Sequence, residues 1–407
     1  MAKGVNIDIR KRNKRNYILN IIRDNPGISK IDTKNISKYS MSTVLSVVAE
    51  LTERKLIMET GNGESKVGRK PSCMEVNPDG GYFLGVEFNA EFLYSVVLNL
   101  LGKVIFRKKY EIVMESDITG QVLDLILMSI REMKSHIGDK QDKIMGIGIG
   151  APGFVDDTRG ISIYYPHLAG WKDVELKSRV EAEFGIITYV ESNVNAMALA
   201  YKWLRPDIYG EDFLLISIRT GIRMSCILNG QLHKGKDNTA GEIGHVQVGS
   251  SGRLCSCGRK GCLEAEISNK SITLKLREGI ERGRYIDLYE LAGRNPADVS
   301  IRTFVESYRL GHADTKELFK EICGYLGDAI SGIVNILNPA RIVISGDITG
   351  VGDELLSRVR AILDEKAVFV NLRELKLEYS SFDDDIGALG AAALVMNKEF
   401  EVFSRVL

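Results

Sequence analysis

Long hydrophobic runs are missing from this chain. No apolar stretch reaches the roughly 18 residues that a membrane-spanning helix needs, so no membrane association is expected. An export signal is missing as well. The opening stretch MAKGVNIDIRKRNKRN is polar and basic with no apolar core, and no secretory targeting is expected from it. Cysteine is scarce, with six residues in 407, which is too few for a disulfide framework at this length. A cytoplasmic protein with reduced thiols is the expectation. Low-complexity segments are absent. What remains is ordinary globular composition, 44% hydrophobic and 27% charged, with length for two or three domains.

The net charge of zero conceals an asymmetry. Residues 1–75 carry 15 Lys and Arg against 8 Asp and Glu, a net of +7, so the remaining 39 basic and 46 acidic residues leave a net of −7. A basic end on an acidic body suits contact with nucleic acid. A solvated basic arm would have the same charge, so the local pattern has to decide. Residues 15–57 read as three short helices. In the first, Ile18, Ile21 and Ile22 share a face before Asn25-Pro26-Gly27 stops the run. The second spans roughly Ser29 to Ile36. The third, STVLSVVAELTERK, places Val44, Val47, Val48 and Leu51 at helical spacing, with Ser40 or Ser42 available as its cap.

This is helix–turn–helix spacing. Ser42, Thr43 and Ser46, short and polar in the first turns of the third helix, are the candidate contacts to base edges or phosphates. The stretch LIMETGNGESKVGRKPSCMEV then reads as strand, Gly-rich tip and strand, a hairpin wing with Lys66, Arg69 and Lys70 on or just after its tip. Those cations are placed for the DNA backbone or minor groove. The sequence therefore predicts a winged helix–turn–helix over residues 1–76.

Beyond Pro78 the texture changes to α/β. Three strands are followed by a helix around 118–136 and a buried strand in KIMGIGIGAPGFVD. The same sequence of strands and helices then repeats. A duplicated α/β body with a cleft between its halves is expected, with the first half over 77–200, completed by the C-terminal helix near 385–407, and the second over 201–384.

The second half contains GEIGHVQVGSSGRLCSCGRKGCLE, residues 241–264, which holds three of the six cysteines and one of the five histidines. His245, Cys255, Cys257 and Cys262 offer thiolates and an imidazole, the ligands Zn²⁺ prefers in closed structural sites. Gly258 and Gly261 allow the chain to double back. Glu242 and Glu264 flank the cluster. A metal knot would hold both carboxylates rigid, and rigid carboxylates suit the hydroxyls of a sugar.

Here the sequence resembles the ROK family (repressors, open reading frames, kinases). GEIGH followed by Cys255-Ser-Cys257-Gly-Arg-Lys-Gly-Cys262-Leu-Glu264 is similar to the family signature, as are GIGAPGFVD, NPARIVISGD and the VGRKP of the wing. The resemblance extends over nearly the whole chain and is nearest to the xylose-repressor and N-acetylglucosamine-repressor types. It implies a winged helix–turn–helix joined to a two-domain hexokinase/actin-like (ribonuclease H-like) body, a structural zinc, operator DNA and a sugar effector as partners, and a homodimer or homotetramer.

The family also contains sugar kinases, and an active ATP-dependent kinase with an appended DNA-binding domain is the alternative. Three departures speak against it. The first phosphate loop of the kinases has an Asp-x-Gly-Gly-Thr pattern, where this chain has Glu87-Phe88-Asn89-Ala90-Glu91. The second, Gly-Thr-Gly-Ile-Gly, is matched by Arg219-Thr220-Gly221-Ile222-Arg223. The general-base Asp is matched by Asn193, an amide with no useful basicity near neutral pH. Arg219 and Arg223 would fill the phosphate space, pair with Glu87 or Glu91, or receive the phosphate of a phosphorylated sugar. Asn193 stays able to hydrogen-bond a hydroxyl beside Glu242, His245 and Glu264. The expected protein is a sugar-responsive repressor without kinase activity. Trp171 is expected in the core rather than stacked on a ligand.

Overall fold

The computed structural model describes residues 2–62, 72–113, 117–208, 210–249 and 252–402. Internal packing gathers the chain into two units, residues 1–206 with 384–407, and residues 207–383. Among the described residues, no helix is long and apolar enough to cross a membrane.

The first unit begins with α1 (Ala2–Asp24), β1 (Ile28–Ser29), α2 (Lys30–Ser37), α3 (Met41–Glu53), β2 (Ile57–Asn62) and β3 (Ser72–Val76). The apolar stripe of α3 buries Val44, Val47, Val48 and Leu51. Ser40 caps it, its Oγ accepting from the Thr43 amide at 3.2 Å. That bond satisfies one of the orphan donors of the first turn. Ser29 caps α2 in the same way, through the Asp32 amide at 3.1 Å. The three strands form one antiparallel sheet in the order β1-β3-β2. Lys66, Arg69 and Lys70, expected on the wing, lie outside the described residues.

The first helix is longer than the three-helix reading expected, because it extends well ahead of residue 15. The isoleucine stripe supplies no signal there. From Arg12 to Asn20 the helix is held by polar bonds to the chain's C-terminal helix. Asn16 is buried and donates to the carbonyls of Glu399 and Glu401 at 2.9 and 3.2 Å, and Asn20 donates to that of Phe400. Arg12 also reaches the Lys398 carbonyl. These carbonyls end the C-terminal helix (Ile386–Phe400), where a helix has no acceptor-satisfying partners of its own. The Arg23 guanidinium lies 5.1 Å from the Trp203 ring centre beside this seam. Removing a buried amide strands its partners, at about 1–3 kcal/mol. Asn16→Ala is therefore expected to lower the denaturation midpoint followed by tryptophan fluorescence, and an unchanged midpoint would remove the seam from the stabilising contacts.

The α/β part of this unit contains β4 (Tyr82–Phe88), β5 (Phe92–Asn99), β6 (Val104–Glu111), α4 (Ile118–Ile137) and β7 (Ile144–Ala151). A small sheet follows, β8 (Phe154–Asp156), β9 (Ile161–Tyr164) and β10 (Lys172–Glu175), then α5 (Leu176–Phe184), β11 (Thr188–Ser192) and α6 (Asn193–Leu204). The main sheet has the order β11-β7-β4-β5-β6. Side chains alternate faces along a strand. Tyr82, Leu84, Val86 and Phe88 pack with Val122, Ile126, Ile130 and Met133 of α4. The residues between them, Phe83, Gly85 and Glu87, point to the other face, which the C-terminal helix covers. A Cβ at Gly148 would come within 1.8 Å of the Ala391 carbonyl oxygen, and one at Gly85 within 2.1 Å of that of Ala388. Those glycines set how closely the helix lies on the sheet. Trp171 is a core residue, its indole donating to Ser162 Oγ at 2.8 Å.

The second unit contains β12 (Phe213–Ile218), β13 (Ile222–Leu228), β14 (Gln231–Leu232), α7 (Leu263–Ile267), α8 (Asn269–Glu281), α9 (Ile286–Leu291), α10 (Ile301–Leu310), α11 (Ala313–Leu337), β15 (Arg341–Ser345), α12 (Glu354–Lys366) and β16 (Lys376–Tyr379). Its sheet runs β14-β13-β12-β15-β16. In each unit a central strand (β4, β12) has an antiparallel neighbour on one side and a parallel neighbour on the other. A further parallel strand extends the second side in both. The repeat read from the sequence is thus a topological duplication.

Candidate metal centre and its flanking carboxylates

The segment from Gly241 to Glu264 is tied to the second sheet by its backbone at the start, through Glu264 and the Ile222 amide at the end, and closes on itself between them. At its start, the Met224 amide of β13 donates to the Gly241 carbonyl at 2.8 Å. Gly241 has a φ of 89°, and a Cβ there would lie 1.8 Å from the Met224 carbonyl oxygen, so no other residue fits. At its end, the Leu263 amide donates to the Val246 carbonyl at 2.9 Å. Between them the chain doubles back, with Gln247 opposite Cys262 and Leu254 opposite Lys260. Gly258 and Gly261 turn it with φ values of 81° and 74°.

The doubling brings together the ligand atoms of His245, Cys255, Cys257 and Cys262, all within 4.8 Å of one another. Cys255 Sγ lies 3.6 Å from His245 Nδ1, and Cys257 Sγ lies 3.7 Å from Cys262 Sγ. Burial, together with the neighbouring cysteines, pushes the Cys262 thiol up to about 12, and burial also raises Cys255. Cys257 shifts down, chiefly through a hydrogen bond from the Arg259 amide. Three sulfurs at such spacing repel one another as thiolates unless a cation offsets their charge. The donor set and its convergence fit a metal ion.

The carboxylates adjoin the cluster. Glu242 Oε2 lies 3.8 Å from His245 Nε2, on the side of the ring away from the cysteines. Glu264 Oε1 lies 3.8 Å from Cys255 Sγ and accepts from the Ser256 hydroxyl at 3.0 Å. Its Oε2 accepts from the Ile222 amide at 3.1 Å. Arg223 forms an ion pair with Glu242, 2.7 Å between Nη2 and Oε1. The sequence had offered Glu87 or Glu91 as partners for the arginines, and both the Arg223–Glu242 and Ser256–Glu264 pairs were missed. Each depends on the chain returning beside β13, which no local spacing encodes.

Several amides in the two stretches corresponding to phosphate loops are engaged. Asn89 Oδ1 accepts from the amides of Glu91 and Phe92 at 2.7 and 2.8 Å. In the other stretch, the Ile222 amide is held by Glu264, and the Arg219 amide donates to the Gly221 carbonyl at 2.9 Å. Phosphate cradles depend on free backbone N–H groups. Asn193 opens α6 in the first unit, and its amide donates to the buried Glu87 Oε1 at 3.4 Å. Ser192 caps that helix through the Asn195 amide. On α3, Ser42 and Ser46 are exposed and Thr43 is partly so.

Comparison with known proteins adds an independent line. The ROK family profile matches residues 96–398. The chain is 27% identical to the xylose repressor of Caldicellulosiruptor bescii over 383 residues, covering 93% of this chain and 94% of that one. It is also 27% identical to the DNA-binding transcriptional dual regulator NagC of Escherichia coli over 394 residues, covering 96% and 94%. Among solved structures it is similar to a ROK family transcriptional regulator described as a homolog of the E. coli MLC protein. That match has a TM-score of 0.83 and 26% identity, covering 96% of this chain and 97% of the other.

Proposed function

The chain belongs to the ROK family, and from that premise we propose that it is a sugar-responsive DNA-binding repressor of carbohydrate-utilisation genes, with xylose the first effector to try. The observation that carries the reading is one chain holding both a capped helix with exposed Ser42 and Ser46 and a pair of carboxylates pinned around a Cys₃His cluster. Residues 1–76 are the proposed DNA-binding module. Zinc is the proposed ion, which His245, Cys255, Cys257 and Cys262 would hold and which would supply a structural anchor for the loop rather than chemistry. Glu242, His245 and Glu264 would take the hydroxyls of the sugar, with Asn193 as an added polar contact. A cytoplasmic homodimer or homotetramer is proposed, since two-fold proteins match two-fold operators.

The deciding experiment selects operator DNA with the full chain and then titrates D-xylose and other sugars into the complex. Sugar-dependent release supports the reading. Release by no sugar would leave a constitutive DNA-binding protein. Deleting residues 1–75 is expected to abolish binding. Arg69→Ala or Lys70→Ala should weaken it and flatten its salt dependence, because fewer phosphates are neutralised.

We further propose that the protein has no kinase activity. The engaged amides around Asn89 and Gly221 and the amide side chain of Asn193 support this. Coupled assays with ATP and common hexoses and pentoses are expected to stay at background. Asn193→Asp alone should not raise them, since a base without phosphate cradles has nothing to transfer to the sugar. Robust phosphorylation by the natural chain would replace the repressor reading with that of a kinase carrying a DNA-binding domain.

A further inference from the structure

Arg223 and Glu242 are forced together by the backbone. Arg223 lies on β13, opposite Ser217 of β12. The next residue, Met224, binds the Gly241 carbonyl through its amide, which sets residue 242 alongside residue 223. The resulting ion pair is short, 2.7 Å, and both side chains are largely buried, 15% and 26% exposed. The contact is an ion pair by proximity rather than an aligned hydrogen bond, since Glu242 Oε1 has no hydrogen-bond partner among the described residues, and the guanidinium acts on that oxygen through its charge. The positive charge stands beside Glu242 Oε1, while Oε2 lies 3.8 Å from His245 Nε2. Glu264, the second carboxylate beside the cluster, is held by a backbone amide and a hydroxyl, neither of them charged.

We propose that Arg223 is a positioning residue for sugar recognition: by standing against Glu242 Oε1 and offsetting its charge, it draws that oxygen to itself and leaves Oε2 for a neutral hydroxyl. The inference rests on the reading of Glu242 as a sugar ligand. A carboxylate without such a partner rotates and draws in water, and has to be ordered again at each binding event. A guanidinium already paired with a carboxylate also favours an unphosphorylated sugar as the ligand over a sugar phosphate.

The test is a double-mutant cycle read by calorimetric titration of the full chain with D-xylose, D-glucose, N-acetylglucosamine and N-acetylglucosamine 6-phosphate. Arg223→Met is expected to raise the Kd of the tightest neutral sugar by roughly 10-fold or more. Arg223→Lys keeps the charge but loses the planar fork, and should recover part of that loss. Once Glu242→Gln has been made, adding Arg223→Met should change the Kd by no more than about twofold, because the arginine acts through the carboxylate. Zinc content and melting temperature identify any misfolded variant. If Arg223→Met alone fails to fold, Arg223→Lys and the double variant, which leaves no charge unpaired, carry the comparison.

An unchanged Kd in Arg223→Met, independent effects of the two substitutions, or preferential binding of the phosphorylated sugar overturns the inference while leaving the sugar site standing. A natural chain that binds none of the sugars removes the functional reading itself, and this inference with it.

Discussion

Metal analysis of the purified chain is expected to return about one zinc per molecule, and Cys257→Ser is expected to lose it. Cys257 is the informative position because its side chain is exposed, whereas Cys255 and Cys262 are buried. A serine there perturbs a ligand and little packing. The loop has few other means of staying folded. Between Val246 and Leu263 it is held by a few strand-like bonds, Val248 to Gly261, Cys255 to Arg259 and Gly261 to Arg253 among them. Its apolar content is slight, with Cys255, Cys262 and Ala265 forming a small cluster of their own.

Metal binding to such a segment is in effect its folding energy. If about 3 kcal/mol of that binding supports the second unit, loss of zinc lowers the melting temperature by roughly 6–12 °C. The sugar response should go with it, because Glu242 precedes His245 by three residues and Glu264 follows Cys262 by two. A chain that keeps its stability and its sugar response after complete removal of metal would show the cluster to be four reduced side chains without an ion.

The parts of this protein that were legible in its sequence share a physical property: their signal is local or periodic. The stripe Val44, Val47, Val48, Leu51 and the cap at Ser40 mark α3 within a dozen residues. The spacing of Cys255, Cys257 and Cys262, with glycines at 258 and 261, requires a doubled-back loop whatever surrounds it. Buried strands such as KIMGIGIGA declare themselves by composition, and their order disclosed the duplication.

The features that stayed hidden are polar bonds between distant segments. The asparagines of α1 carry no signal of a partner in the sequence, yet Asn16 meets carbonyls some 380 positions away. Arg223 reads from the sequence as filling the phosphate space, pairing with Glu87 or Glu91, or receiving a sugar phosphate, and in the structure it forms an ion pair with Glu242. A polar side chain carries no periodic mark of its partner, so only the fold reveals the pairing. The same holds for the amides beside Asn89 and Gly221. The sequence shows the loss of glycines there, and the structure shows the partners of the Glu91, Phe92, Arg219 and Ile222 amides.

Glu242→Ala is expected to weaken sugar binding by roughly one to two orders of magnitude while sugar-free operator binding is retained. The size follows from two losses at one position. A hydroxyl that loses its acceptor in a desolvated site costs about 1–3 kcal/mol, and the substitution also removes the carboxylate that Arg223 holds at 2.7 Å. Operator binding is retained because Glu242 belongs to residues 207–383, whereas α3 with Ser42, Thr43 and Ser46 belongs to the other unit. A repressor needs more than a sugar site, however. For sugar to release DNA, it has to bind more tightly to the conformation that fits the operator poorly. Linkage then requires that operator DNA weaken sugar binding by the same factor by which sugar weakens operator binding. Calorimetric titration of the sugar with and without operator DNA measures that factor, and a coupling of about 5- to 150-fold is the usual range. In Glu242→Ala, release should require proportionally more sugar, with the coupling factor itself little changed if the residue contributes equally to binding in both conformations. Equal sugar affinities in the two titrations of the natural chain would mean that the body senses nothing on behalf of the DNA-binding segment.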